Sequence, residues 1–211
     1  MHRLDFNTRN SKVRTVEKMM LKTENLSSNR ALRILLATNG LILFAGAMLG
    51  PVYAIFVEDI GGNLFDASIA IGLFALVAGI TTMISGNYGD KIEENELIII
   101  FGYITMGIGF FLHIFVNSII FLFVVQIIIG LGEAIYSPVF DSVYSKHTDK
   151  RKSFCKQWGA WEAMDYFTTA IGAIIGGLIV TKLGFNTMFT LMSALCLASS
   201  VYIYILPRRL L

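Results

Sequence analysis

The sequence predicts an all-α, polytopic membrane protein of six transmembrane helices, and three observations predict it. The 211 residues are 55% hydrophobic and only 15% charged, with a mean hydropathy of +0.66, whereas a soluble domain carries roughly 25% charged residues. The apolar residues fall into six blocks, each long enough as a helix to cross about 30 Å of hydrocarbon at about 1.5 Å per residue. The connections between blocks are short, which leaves no room for an extramembrane domain beyond the N-terminal tail. Helices satisfy their own backbone groups in lipid, and the short alternating strands of a β-barrel are absent from the pattern.

Residues 1–30 mix Arg, Lys, Ser, Asn and Thr and read as a polar cytoplasmic tail. They are too polar for a cleavable signal. Val13, Val16, Met20 and Leu21 share one side of a stretch that also holds Arg14 and Lys18, so this segment reads as a mobile solvated tail or as a short interfacial helix. The membrane domain covers 31–207. Its blocks run at about 31–56, 68–88, 97–116, 119–144, 158–181 and 186–206.

Orientation follows from Lys and Arg. With the N-terminus inside, 16 of the 17 cations lie in inside segments and only Lys182 lies outside, which is the asymmetry that cytoplasmic loops carry. Both termini are therefore expected in the cytoplasm, and the expected location is the plasma (inner) membrane. Cys155 and Cys196 are too few for a disulfide framework and read as free thiols. No His/Cys/Asp/Glu spacing suggests a metal site, no cofactor is implied, and no basic nucleic-acid-binding surface is expected. No Ser/His pair or Gly-x-Ser-x-Gly arrangement suggests catalysis, so an enzyme is not expected.

Glycines punctuate the helices. Gly72, Gly79 and Gly86 recur every seven residues on the second block, and Gly172 and Gly176 form a GxxxG on the fifth. Small residues let helices approach closely where lipid supplies no hydrophobic drive, so Gly72, Gly79, Gly172 and Gly176 are expected at packing surfaces.

Ionisable groups at bilayer depth are costly, so each needs a reason. On the fourth block Gln126, Gly130, Glu133, Ser137 and Asp141 step by four, three, four and four, which places them on one helix face, and Pro138 interrupts that face with a kink. On the fifth, Trp158, Glu162, Asp165, Thr169 and Gly172 do the same. The first offers Asn39, Gly46, Gly50 and Tyr53. A water-filled cavity lined by helices 1, 4 and 5 is one reading, in which Glu133 carries a proton or pairs with a cationic substrate. The other is that Glu133 simply bonds to a neighbouring helix, while Asp141, Glu162 and Asp165 reach the interface and its lysines and arginines. Helices 3 and 6 carry almost no charge and read as lipid-facing or scaffold elements.

This arrangement resembles one half of a transporter of the major facilitator superfamily, whose members are built from two six-helix halves. The connection between helices 2 and 3 reads Gly86-Asn-Tyr-Gly-Asp90-Lys91, similar to the family's Gly-x-x-x-Asp-Arg. Helix 4 carries Gly130-Leu-Gly132-Glu133-Ala134, where the family has Gly-x-Gly-Ala-Ala, with Gln126 in place of the family's Arg. Helix 5 has Gly172-Ala173-Ile-Ile-Gly176-Gly177, without the Pro of the antiporter motif, and Gly184-Phe185-Asn186-x-x-Phe189 opens helix 6. The resemblance implies an MFS-like half bundle and transport of a small molecule or ion by alternating access. Gly86, Asp90 and Lys91 would sit at the cytoplasmic contact between halves, and Glu133, Gln126, Asn39 and Tyr53 near the substrate. A single half leaves its polar stripes uncovered, so a parallel homodimer, or a partner half, is expected. A non-transporting accessory or sensor subunit on the same scaffold is the alternative.

Overall fold

A computed structural model describes residues 30–89, 94–148 and 154–205, the side chains of 87–89 excepted. Among these residues every regular element is helical, and six helices are long and apolar enough to span a membrane. They are α1 (Arg30–Asp59, with a 3-10 turn at Gly50–Val52), α2 (Leu64–Gly89), α3 (Asn95–Leu112), α4 (Ile119–His147), α5 (Phe154–Leu183) and α6 (Phe185–Ile205). They alternate up and down. The starts of α1, α3 and α5 share one end of the bundle, and the starts of α2, α4 and α6 share the other.

Local chemistry sets the tight turns at that second end. After α1, Gly61 takes φ 86°, where a side chain is strained, and the Gly61 and Gly62 amides donate back to Glu58 and Val57 at 2.9 Å. Asn63 then caps α2. Its Oδ1 accepts from the amides of Phe65 and Asp66 at 2.8 and 3.2 Å, while Asp66 Oδ2 accepts from the Asn63 amide at 2.9 Å, a reciprocal capping box. These caps carry α2 four residues before its apolar block begins. Ser118 caps α4 through the Phe121 amide. Gly184 takes φ 82° between α5 and α6, so the glycine of the Gly-Phe-Asn motif supplies the left-handed reversal.

Packing centres on α4, which lies between α2 and α3, while α3 also packs on α6. The glycine pair of α4 permits this. A Cβ at Gly130 would lie 2.8 Å from the Phe74 carbonyl of α2, and one at Gly132 would lie 2.8 Å from Met106 of α3. The facing Gly102 of α3 would meet Tyr136 at 2.6 Å. On the other side of the bundle, α5 packs against α1 through Gly172 and Gly176, which abut Phe44, Ala47 and Met48.

Of the two readings of α3 and α6, lipid-facing or scaffold, the packing favours scaffold, since 44% of each apolar stretch is buried within the chain. Helices α2 and α5 carry the open faces, with only 11% of theirs buried. Gly72, Gly79 and Gly86 meet no atom within 4 Å. This glycine ladder therefore faces outward from the described helices.

Candidate substrate cavity

The Tyr53 hydroxyl and the Gln126 amide anchor the site. Both residues are buried, at 5 and 6% exposure, and Gln126 Nε2 donates to Tyr53 Oη at 2.7 Å. A buried polar side chain needs such a partner, and this bond ties α1 to α4 across the interior. One turn further along α4, Ile129 continues the same wall, and Glu133 follows it.

These residues border a cavity of about 360 Å³. Helix α1 contributes Tyr53, Leu49 and the open backbone of Gly46 and Gly50, α2 contributes Ile71 and Phe74, and α3 contributes Met106 and Phe110. Glu133 is partly exposed to this space, and among the described residues its carboxyl has no hydrogen bond or ion pair. Among the described residues the cavity is lined by one carboxyl, one polar pair and a largely apolar, aromatic wall.

The sequence-predicted residues divide accordingly. Tyr53, Gln126 and Glu133 come together. Asn39, Asp141, Glu162 and Asp165 do not border the cavity. Asn39 keeps to the same side of α1 but lies seven residues below Gly46, about 10 Å along the axis. It is buried at 2% exposure with its Oδ1 unpartnered among the described residues. Asp141 lies eight residues beyond Glu133, about 12 Å along α4. Glu162 is exposed and Asp165 half-buried on α5. This cavity is lined by α1, α2, α3 and α4, and α5, which packs on α1 at Gly172 and Gly176, does not border it. Asp90 and Lys91 lie outside the described residues. No group of three or more His, Cys, Asp or Glu side chains that could hold a metal occurs among those described.

Sequence reasoning missed Met106 and Phe110, since an uncharged helix offers no polar stripe to flag. His113 is buried at 1% exposure, stacked on Phe189 at 4.7 Å and tilted against Phe56 at 5.8 Å. Its Nδ1 lies 3.1 Å from the Gly109 carbonyl and its Nε2 is unpartnered among the described residues. This cluster joins α1, α3 and α6 and places Phe189 of the Gly-Phe-Asn motif in the core.

The comparisons with known proteins agree with this architecture. The family description Major Facilitator Superfamily matches residues 35–210. The chain is 23% identical over 180 residues to the multi-drug resistance efflux pump PmrA of Streptococcus pneumoniae, covering 84% of this chain and 44% of that protein. It is 24% identical over 169 residues to the voltage-gated purine nucleotide uniporter SLC17A9 of Mus musculus, covering 77% and 37%. It is 21% identical over 192 residues to the multidrug resistance protein MdtG of Klebsiella pneumoniae, covering 88% and 45%. The in meso crystal structure of the POT family transporter PepTSo superposes with a TM-score of 0.67 at 17% identity, over 83% of this chain and 37% of that one. The chain thus spans less than half the length of these relatives.

Proposed function

This chain belongs to the major facilitator superfamily, and we propose that it moves a small solute across a membrane by alternating access, as one half of a two-half assembly. The observation that carries this reading is Glu133, a carboxyl without a described partner that borders a cavity between four membrane helices. A charge at bilayer depth costs several kcal/mol unless it meets water, a counter-charge or a substrate. Proton exchange at the same carboxyl would couple the solute to a proton gradient.

The second half is a parallel copy of this chain or a separate six-helix partner. The outward faces of α2 and α5 support this, because they hold open glycines on one helix and the carboxylates Glu162 and Asp165 on the other. Rocking of one half against the other then exposes the cavity to each side in turn. The cation asymmetry of the sequence supports cytoplasmic termini in the plasma membrane.

Reconstitution into liposomes tests the reading. Solute or proton flux through the purified protein should be lost in Glu133→Gln, and flux unchanged by that substitution would remove Glu133 from the site. Crosslinking and native mass spectrometry from native-like membranes should return a dimer or a paired half. A strict monomer that still transports would overturn the two-half assembly.

A further inference from the structure

We propose that α1 and α6 together hold the phosphate of an anionic phospholipid, at the end of the bundle where α1 begins. The site shares no residue with the cavity at Glu133 and does not rest on the transport reading. An open pocket of about 460 Å³ is lined by Arg30, Arg33, Ile34, Ala37 and Tyr202. The first four fall at the spacing of a single helix face on α1. Tyr202 comes from the last turn of α6, which ends at Ile205. Two guanidiniums therefore share one concave surface with a phenol from a second helix.

Cations at helix ends are common at a membrane surface, and scattered ones imply no ligand. Arg30 and Arg33 are not scattered. They stand three residues apart, so they are neighbours on the helix surface and both can reach one anion. A guanidinium is a planar fork that donates two parallel N–H bonds to phosphate oxygens. The Tyr202 hydroxyl can donate a further bond from the α6 side.

The phosphate is assigned to a lipid because the surface continues as an apolar one towards the bilayer. Ile34 is buried at 7% exposure and floors the pocket. One turn deeper on α1, Leu41 is exposed beyond Ala37, and one turn deeper on α6, Ala198 is exposed beyond Tyr202. The small side chains at Ala37 and Ala198 leave room for an acyl chain beside them. Tyr202 stands near the helix end, the level at which amphipathic rings meet headgroups. A zwitterionic headgroup would bring its own cation against the two arginines, and a headgroup of net negative charge would not. The cation asymmetry of the sequence favours the cytoplasm for this end, and basic pockets between helices on that side suit anionic headgroups.

Native mass spectrometry of the purified full chain tests the site, with phosphatidylglycerol and phosphatidylcholine of identical acyl chains as probes. Phosphatidylglycerol should bind more tightly by about tenfold or more. Arg30→Gln with Arg33→Gln should abolish that preference. Arg30→Lys with Arg33→Lys keeps the charge but loses the fork, and should retain part of it. Lys182→Gln, at the opposite end of the bundle, should leave it unchanged. Equal binding of the two lipids, or a preference that survives the double glutamine variant, overturns the proposal. Soluble sn-glycerol 3-phosphate separates a lipid from a free anion, and it should displace phosphatidylglycerol only weakly. Displacement at the affinity of the lipid itself would make this a site for soluble phosphates and overturn the lipid assignment.

Discussion

The Ser85 hydroxyl of α2 donates to the Ala134 carbonyl of α4 at 2.7 Å. That carbonyl is the one that Pro138, four residues on, leaves without its intrahelical donor, because proline has no N–H. The carbonyl that Pro138 frees is thus satisfied by a neighbouring helix, and it belongs to the residue after Glu133. Ser85 also lies 3.3 Å from the Thr82 carbonyl of its own turn, the fallback it would have in the absence of α4.

Loss of this bond should be measurable and should depend on the proline. Ser85→Ala should destabilise the protein by about 0.5–2 kcal/mol, the range for a hydrogen bond whose removal strands a buried partner. In a Pro138→Ala background the residue at 138 regains its N–H, and the Ser85→Ala penalty should shrink. Thermal unfolding of all four proteins in detergent gives the double-mutant cycle, and an undiminished penalty would refute the link between Ser85 and Pro138.

Two glycines should respond differently to the same methyl. Gly176→Ala drives a Cβ into the Met48 backbone, and overpacking of this kind costs about 1–3 kcal/mol. Gly79→Ala meets nothing within 4 Å and should leave the unfolding temperature of the isolated chain unchanged. If α2 packs on a second half, Gly79→Leu should lower the crosslinked fraction while leaving the melting temperature of the monomer in place.

Tyr53 and Gln126 should behave as a pair. Tyr53→Phe strands the buried Gln126 amide and should cost about 1–2 kcal/mol. Adding Gln126→Leu removes the stranded group, so the double variant should regain part of that stability. Melting curves decide this, and a strictly additive loss would count against the bond.

His113→Phe should be tolerated. The ring already stacks among Phe56, Phe110 and Phe189, its Nε2 has no partner among the described residues, and the Gly109 carbonyl that Nδ1 contacts keeps the His113 amide as donor. The variant should melt within a few degrees of the parent and retain its flux. A loss of flux at unchanged stability would assign His113 a role in transport.

Much of the fold was legible because hydropathy is local. Block lengths near the bilayer thickness returned six helices, and the start of α2 lies earlier than its block where Asn63 and Asp66 cap it. The motif glycines were legible as small residues, and the structure supplies separate reasons for them. Gly130 and Gly132 admit α2 and α3 to either side of α4, while Gly184 makes a turn.

The candidate site was legible in part. The periodicity of α4 put Gln126 and Glu133 on one face, and a polar residue on α1 was noticed at Tyr53. What period cannot convey is which neighbour a face meets. Glu162 and Asp165 form as regular a stripe as Gln126 and Glu133, yet α5 turns Gly172 and Gly176 towards α1 and contributes nothing to the cavity. By itself the sequence determined the six apolar helices, the cation asymmetry and the polar faces, because each depends on spacing along one helix. Only the tertiary structure decided that α2 and α3 complete the cavity, that His113 is core and that the glycine ladder of α2 faces outward. Those outcomes depend on how closely pairs of helices approach, which is set by side chains far apart in the chain.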